Sequence, residues 1–178
     1  MRAATTVLLV SGAAVSAFAT SPNVVYDMFK ILEAFDRIVG VATSKPDSEV
    51  LCLAARRVAL DRANRGGTYE WSWYERSVES PRIKVNFTFG GVGTLDSLTN
   101  PDPQVGDANV RLLFSDYSTC ALTKFSRRGE VCVLWIPEQV NASISTVCDD
   151  HFERHCGSER KALLPDDRCT QGMNRPVV

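Results

Sequence analysis

The stretch that decides the fold runs from Ser118 to Gly157 and reads STCALTKFSRRGEVCVLWIPEQVNASISTVCDDHFERHCG. It holds four of the six cysteines of the chain and both of its histidines. Three interpretations compete: a zinc site, a catalytic cysteine with its base, and two disulfides that fasten a helix to a sheet. The choice also fixes the compartment, because structural disulfides persist in oxidising environments.

The zinc and catalytic interpretations lack supporting motifs. His151 and His155 are four residues apart, a spacing that can hold zinc beside Cys148 and Cys156. No zinc-finger spacing such as C-x2-C accompanies them, and each histidine is equally typical of an exposed helix position. An even cysteine count in a secreted chain leaves no thiol for catalysis, and no nucleophile elbow, H-E-x-x-H or glycine-rich phosphate loop is present. We therefore expect no enzymatic activity, no metal and no cofactor.

The first half of the stretch predicts a β-hairpin. Candidate strands Ser118–Phe125 and Val131–Ile136 flank a turn at Ser126–Gly129. A five-residue loop would place Cys120 and Cys132 on one face of the hairpin, and a four-residue loop would place them on opposite faces. The sequence leaves this register open.

The second half predicts a helix that starts near Ser145 and stops at Gly157. Cys148, Phe152 and Cys156 follow at intervals of four residues, so they lie on one side of that helix. If this side covers the hairpin, two helix cysteines face two strand cysteines. Of the fifteen connectivities that six cysteines allow, we favour Cys120–Cys148, Cys132–Cys156 and Cys52–Cys169.

The N-terminus has the pattern of a secretory signal. MRAATTVLLVSGAAVSAFA begins with Arg2 and a short apolar run, and it ends in a small-x-small cleavage site. We predict a signal peptide at 1–19 and one secreted domain at 20–178, with glycosylation at the sequons of Asn86 and Asn141. A net charge of −1 without a basic stripe predicts no nucleic-acid partner and no membrane insertion. We expect a monomer.

Between the signal and the hairpin the chain changes from helical to strand periodicity. An amphipathic helix is predicted from Ser21-Pro22 to Gly40, with apolar residues recurring through Ile38. Further strands are predicted at Val50–Leu60, Thr68–Glu75, Arg82–Phe89 and Asn109–Asp116. Gly90–Leu95 fits a bulged edge strand or a loop, and Thr94–Asp107 reads as a long loop. So many short strands with regular turns indicate a barrel or a sandwich.

Five short motifs carry a resemblance to a known family. They are DYSTC at 116–120, CVLWI at 132–136, DDHF at 149–152, Cys156-Gly157 and PDDRC at 165–169. In these motifs the chain resembles the tick salivary lipocalins, which include the histamine-binding proteins and the sterol-binding, immunomodulatory japanin-like group. The resemblance implies a mainly β fold: an eight-stranded antiparallel lipocalin barrel with an N-terminal helix closing one end and a C-terminal helix packed on the outside. It also supports the disulfide pairing.

The resemblance implies a function in tick saliva. The chain would sequester a small hydrophobic host ligand, a sterol such as cholesterol or a fatty-acid-derived mediator, and modulate the host immune response, with dendritic cells as one target. One alternative is a scavenger of biogenic amines such as histamine or serotonin. Another is a protein-binding effector that acts on a host immune-cell receptor or a complement component through surface loops, Thr94–Asp107 among them.

Two positions argue against the amine alternative. Histamine binders of the family carry acidic residues where this chain has Ala121 and Val133, and an amine in a dry barrel needs such partners. A second amine site could use Glu70. One of Arg56 and Arg57 must point inward unless a bulge intervenes. The predicted ligand-binding set is Tyr69, Trp71, Trp73, Val85, Phe87, Leu112, Phe114, Phe125, Val133 and Trp135.

Overall fold

The structure is a computed structural model, and it describes residues 24–46, 50–75, 82–88, 96–99, 108–126, 130–138 and 145–163. Within these ranges, the side chains of 51, 73–75, 82–88, 96–99 and 108–109 are left out of the description. The predicted signal peptide, Asn141 and Cys169 lie outside the described residues, as does the side chain of Asn86. No helix among the described residues is long and apolar enough to cross a membrane.

The described strands form one antiparallel sheet that curls until its ends meet. Each of the first seven strands pairs with the next one along the chain, and the eighth pairs with the first. A ninth, short strand pairs with the second half of the first. The expected mainly β lipocalin class is confirmed. The elements are α1 Met28–Ala34, β1 Arg37–Thr43, β2 Val50–Asp61, β3 Gly66–Glu75, β4 Arg82–Thr88, β5 Asp96–Thr99, β6 Ala108–Ser115, β7 Ala121–Phe125, β8 Val131–Pro137, α2 Thr146–Cys156 and β9 Lys161–Ala162.

The N-terminal helix is shorter than its apolar periodicity predicted. Asp27 caps it by accepting a 3.0 Å hydrogen bond from the backbone N–H of Phe29, so α1 begins at Met28. The prediction that the helix continues to Gly40 was wrong, because β1 already begins at Arg37. β1 pairs with β2 on one side and β8 on the other. This pairing satisfies the backbone on both sides, and it outweighs the helical period.

Strand β5 is a second departure from the sequence prediction. Asp96–Thr99 pairs with β4 and with β6, whereas the sequence predicted a continuous loop over Thr94–Asp107. Asp96 and Ser97 are residues typical of turns. The segment is extended because it pairs with a strand on each side. Gly90–Leu95 lies outside the described residues.

The hairpin has the five-residue loop. Phe125 is opposite Val131, so Lys124 is opposite Cys132. In this register Cys120 and Cys132 share the outer face of the sheet, where α2 packs. The structure contains the disulfides Cys120–Cys148 and Cys132–Cys156, with Cα atoms 6.4 Å and 6.1 Å apart, which are two of the three expected pairs. Cys52 is disulfide-bonded as well, and its pairing with Cys169 stays a prediction.

Helix α2 seals an apolar core on the outer face, which we call the outer cluster. Phe152 and Cys148 are fully buried at its centre, against Leu122 and Leu134 of the hairpin. Since Cys148 and Cys156 are in disulfides, they offer no thiolates for the zinc site considered above. The helix ends at Gly157, whose φ of 87° favours glycine.

The DYSTC motif forms the tight turn between β6 and β7. The carboxylate of Asp116 accepts backbone hydrogen bonds from Ser118, Thr119 and Cys120 at 2.9, 2.7 and 3.1 Å, and a further one from the Thr119 hydroxyl. Burial by itself would raise the pKa of Asp116, but these hydrogen bonds outweigh it and hold the pKa at about 2. The motif therefore fixes the start of β7 and, through Cys120, the attachment of α2.

Replacing Asp116 with asparagine is expected to lower the free energy of unfolding by about 1 kcal/mol at pH 7, a figure that allows for solvent screening at this exposed turn. A depressed carboxyl pKa stabilises the fold above the unfolded-state value of about 3.9, and this contribution is lost as the pH falls towards the folded-state value. Urea unfolding between pH 7 and pH 3 should therefore show the two proteins converging at low pH. A constant difference across this range would contradict the assigned role.

Candidate ligand cavity

Helix α1 covers one end of the barrel and is fastened there at two points. The backbone N–H of Asp27 donates to the hydroxyl of Tyr117 at 2.8 Å, and the carboxylate of Asp27 pairs with Arg65 at 2.7 Å. Gly67 on β3 admits the close approach of Leu32, since a Cβ atom there would lie 3.1 Å from the Leu32 side chain. Tyr117, the second residue of the DYSTC motif, therefore helps to hold α1 over the barrel.

The two adjacent arginines of β2 have separate partners. Arg57 is on the inner-face side, opposite Tyr69, and its guanidinium donates to the carbonyl oxygens of Leu32 and Glu33 at the end of α1. It therefore satisfies helix carbonyls that lack partners. Arg56 is on the outer face and pairs with Glu70 at 2.6 Å.

A small apolar cavity lies between α1 and the inner face of the sheet. Its volume is about 40 Å³. No charged side chain belongs to its lining among the residues that the structure describes. The lining consists of Met28, Ile31, Leu32, Ile38, Tyr69, Trp71, Val110, Ala121, Thr123, Phe125 and Trp135.

Three polar side chains of this lining, Tyr69, Thr123 and Trp135, are hydrogen-bonded within the protein. The indole N–H of Trp135 donates to the hydroxyl of Thr123 at 2.8 Å. The hydroxyl of Tyr69 donates to the backbone carbonyl of Phe35. Burial raises the pKa of Tyr69, so it remains a neutral phenol at physiological pH. The described lining therefore presents apolar surface to a guest molecule.

Three aromatic rings form a cluster against the cavity. The ring centroids of Trp71 and Phe125 are 5.5 Å apart at 87°, and those of Trp71 and Trp135 are 5.6 Å apart at 56°. Edge-to-face contacts of this kind stabilise the rings mutually. Trp71 lies at the centre of the cluster, so a guest that displaces it disturbs both contacts.

The predicted ligand set is placed as follows. Tyr69, Trp71, Phe125 and Trp135 line the cavity. Leu112 and Val133 belong to the surrounding inner core, outside the lining. The side chains of Trp73, Val85 and Phe87 lie outside the described residues, although the backbone register places Val85 opposite Tyr69 and Phe87 opposite Gly67.

Phe114 was wrongly predicted to face the cavity. The pairing of β6 with β7 shifts between Leu112 and Phe114, so a β-bulge at Leu113 turns Phe114 to the outer face. Its ring stacks on His151 of α2, with centroids 3.6 Å apart and planes at 10°. Phe114 is therefore part of the outer cluster.

Several lining residues were missed by strand alternation. Met28, Ile31 and Leu32 come from α1, whose apolar side was recognised but was not linked to the ligand. Ala121 and Thr123 lie on the face of β7 opposite to Cys120. Choosing the five-residue hairpin loop at the sequence level would have placed both on the inner face. Glu70, suggested as an acid for an amine site, is on the opposite face of β3 from Tyr69 and Trp71 and pairs with Arg56.

Comparisons with known proteins agree with this geometry. Three solved structures share the fold: an AM182 serotonin complex (17% identity, 81% of this chain and 92% of the other, TM-score 0.59), japanin from Rhipicephalus appendiculatus bound to cholesterol (14%, 75% and 95%, TM-score 0.57) and lobster apocrustacyanin A1 (11%, 80% and 83%, TM-score 0.60). No curated protein sequence matches the chain significantly. The family model described as tick histamine binding protein matches residues 41–171, well over half of the sequence. The chain therefore belongs to the tick histamine-binding protein family of lipocalins.

Proposed function

We propose that the protein is a secreted lipocalin that sequesters one small apolar host ligand, a sterol or a fatty-acid-derived mediator, and thereby modulates host immune cells such as dendritic cells. The observation that carries the proposal is the lining of the cavity: among the described residues it is uncharged and mainly apolar, and the Tyr69 hydroxyl and the Trp135 indole N–H are hydrogen-bonded within the protein. Transfer of apolar ligand surface from water into such a site supplies about 25 cal/mol per Å².

The size of the cavity constrains how the ligand sits. Small-molecule sites typically measure about 300–1,000 Å³, whereas the cavity here measures about 40 Å³. A sterol is far larger than this cavity, so its binding has to displace rings of the aromatic cluster. Trp71 and Phe125 are the rings expected to move, since they contact each other edge to face and both line the cavity.

The lining disfavours a biogenic amine. Ala121, where histamine binders of the family carry an acid, is a cavity-wall residue, and Val133 is in the adjoining inner core. A buried ammonium without a carboxylate partner is strongly destabilised. The solved relatives include both a serotonin complex and a cholesterol complex, so the fold itself accommodates both classes. The side chains of the lining are what favour the apolar class here.

Fluorescence titration tests the proposal, because Trp71 and Trp135 report on the cavity directly. Purified, delipidated protein would be titrated with a fluorescent sterol, with a conjugated polyene fatty acid and, separately, with serotonin and histamine. We expect saturable one-to-one energy transfer from tryptophan to the sterol or to the fatty acid, and no response to either amine. Saturable binding of an amine with no binding of either lipid would refute the proposal.

A further inference from the structure

The outer surface beside α2 brings together cations that are far apart in the sequence. Arg111 of β6 lies directly opposite Lys124 of β7. Like charges in directly opposed positions destabilise a sheet unless an anion compensates them. Lys124 has Glu130 as a partner at 2.8 Å, and Arg111 makes no ion pair with any residue that the structure describes.

The neighbouring side of α2 adds three more basic groups. The rings of His151 and His155 are stacked, with centroids 5.7 Å apart, and His151 rests on Phe114. Arg154 is exposed beside them and has no ion pair within the described part of the chain. Asp149 is engaged with Arg160 at 2.7 Å and so does not neutralise this surface.

Three cations, Arg111, Lys124 and Arg154, act electrostatically on the two histidines, against one carboxylate, that of Asp150. Burial lowers the pKa of His155, and Arg154, Lys124 and Arg111 lower it further. Burial, Arg154 and His155 lower the pKa of His151, which Asp150 alone opposes. The surrounding cations disfavour the protonated form of each histidine. The same positive potential attracts an anion.

We propose that Arg111, Lys124, Arg154, His151 and His155, which we call the basic face, bind a sulfated polysaccharide of the glycosaminoglycan class. This activity goes beyond the sequestration proposed above and uses none of the residues that line the cavity. The basic face is held rigid, because the disulfides Cys120–Cys148 and Cys132–Cys156 fasten α2 to β7 and β8.

The chemistry of the basic face favours a sulfated polymer over other anions. Arginine forms paired hydrogen bonds with tetrahedral oxyanions, and the basic groups are spread over three elements, so a chain with repeated sulfates can contact several of them. A membrane surface would need large apolar anchors as well, and Val147 is the one exposed large apolar residue described on α2.

Anion binding is expected to depend on pH. A sulfate beside His151 and His155 stabilises their protonated forms and so raises the pKa of each. By linkage, protonation of the histidines tightens binding, so affinity should rise as the pH falls through the range in which they titrate.

The test uses the full secreted protein and size-defined heparin, at pH 6.0 and 7.5 and at several NaCl concentrations. Arg111→Gln and Arg154→Gln are compared with Arg62→Gln, which removes the same charge from an exposed arginine at the α1 end. His155→Gln tests the pH dependence. We expect each basic-face arginine variant to weaken binding about fivefold and to reduce the salt slope by about one. Arg62→Gln should bind like the wild type, and His155→Gln should lose much of the gain at pH 6.0.

Four outcomes would overturn the proposal. Wild type that fails to bind heparin at pH 6.0 and 50 mM NaCl has no such site. Equal losses in Arg62→Gln and Arg111→Gln would indicate a general charge effect. Equal affinity for the unsulfated polymer hyaluronan, or binding to vesicles of phosphatidylcholine and phosphatidylserine without binding to heparin, would show that sulfate is not what the basic face recognises. Sterol titration of the arginine variants, expected to match the wild type, separates this result from a failure of the cavity.

Discussion

Replacing Trp135 with alanine is expected to weaken binding of the apolar ligand by at least about tenfold and to lower the free energy of unfolding by about 3–5 kcal/mol. Trp135 is 2% exposed, lines the cavity and contacts Trp71. Even ~60 Å² of lost apolar contact with the ligand corresponds to roughly 1.5 kcal/mol. Sterol titration and urea unfolding of the same preparation measure the two effects. If capture of the ligand acts on dendritic cells, this variant should lose that action as well.

Two matched variants separate binding from folding. Trp135→Phe keeps an aromatic wall but loses the hydrogen bond to Thr123, and it should retain most of the affinity. Phe114→Ala removes a buried ring from the outer cluster, so it should destabilise the protein by a similar amount while leaving ligand affinity nearly unchanged below its unfolding temperature. Loss of binding in Phe114→Ala but not in Trp135→Ala would contradict the assignment of the two faces.

Removing both described disulfides is expected to cost most of the stability of the domain. The bonds span 28 and 24 residues, and either one alone should contribute about 3–4 kcal/mol by constraining the unfolded chain. Because the two loops overlap, their contributions are not additive. A protein with Cys120, Cys132, Cys148 and Cys156 all replaced by alanine should still lose about 5 kcal/mol or more, which approaches the total stability of many domains. Thermal unfolding measures the loss.

The position at which a protease first cuts the variants provides a second measurement. With both bonds removed, α2 is held on the sheet by noncovalent packing centred on Phe152. Limited proteolysis should therefore cut in and around α2 before it cuts the barrel strands. The variant that lacks only Cys120–Cys148 should retain the helix. Unchanged thermal stability and unchanged proteolysis in the protein lacking both bonds would show that the disulfides do not fasten the helix.

Local signals in the sequence predicted the disulfides of the outer cluster. The spacing of Cys148, Phe152 and Cys156 on a helix, set against Cys120 and Cys132 on a hairpin, predicted two disulfides that the structure contains. The prediction also depended on the hairpin register, which the sequence left open and which the structure shows to be the five-residue loop. The N-terminal helix shows the opposite case, since pairing with β2 and β8 turned Arg37–Thr43 into a strand despite its helical period.

The residues that line the cavity were only partly predictable from the sequence. Alternation placed Tyr69, Trp71 and Trp135 on the inner face, where they line the cavity, because their strands are regular around these residues. It failed at Phe114, because a single extra residue in a bulge reverses the face of all that follows. The basic face gave no signal in the sequence, since Arg111, Lys124 and Arg154 become neighbours only when the barrel closes and α2 docks.

The most direct test of the account is a native mass spectrum of the protein secreted by eukaryotic cells and purified without detergent, followed by solvent extraction and identification of what is released. We predict one sterol or fatty-acid-derived molecule per protein chain, lost in the Trp135→Ala variant and retained in Phe114→Ala. A protein that carries no such molecule and takes up neither sterols nor fatty acids when they are supplied would contradict the claim that its cavity captures an apolar ligand.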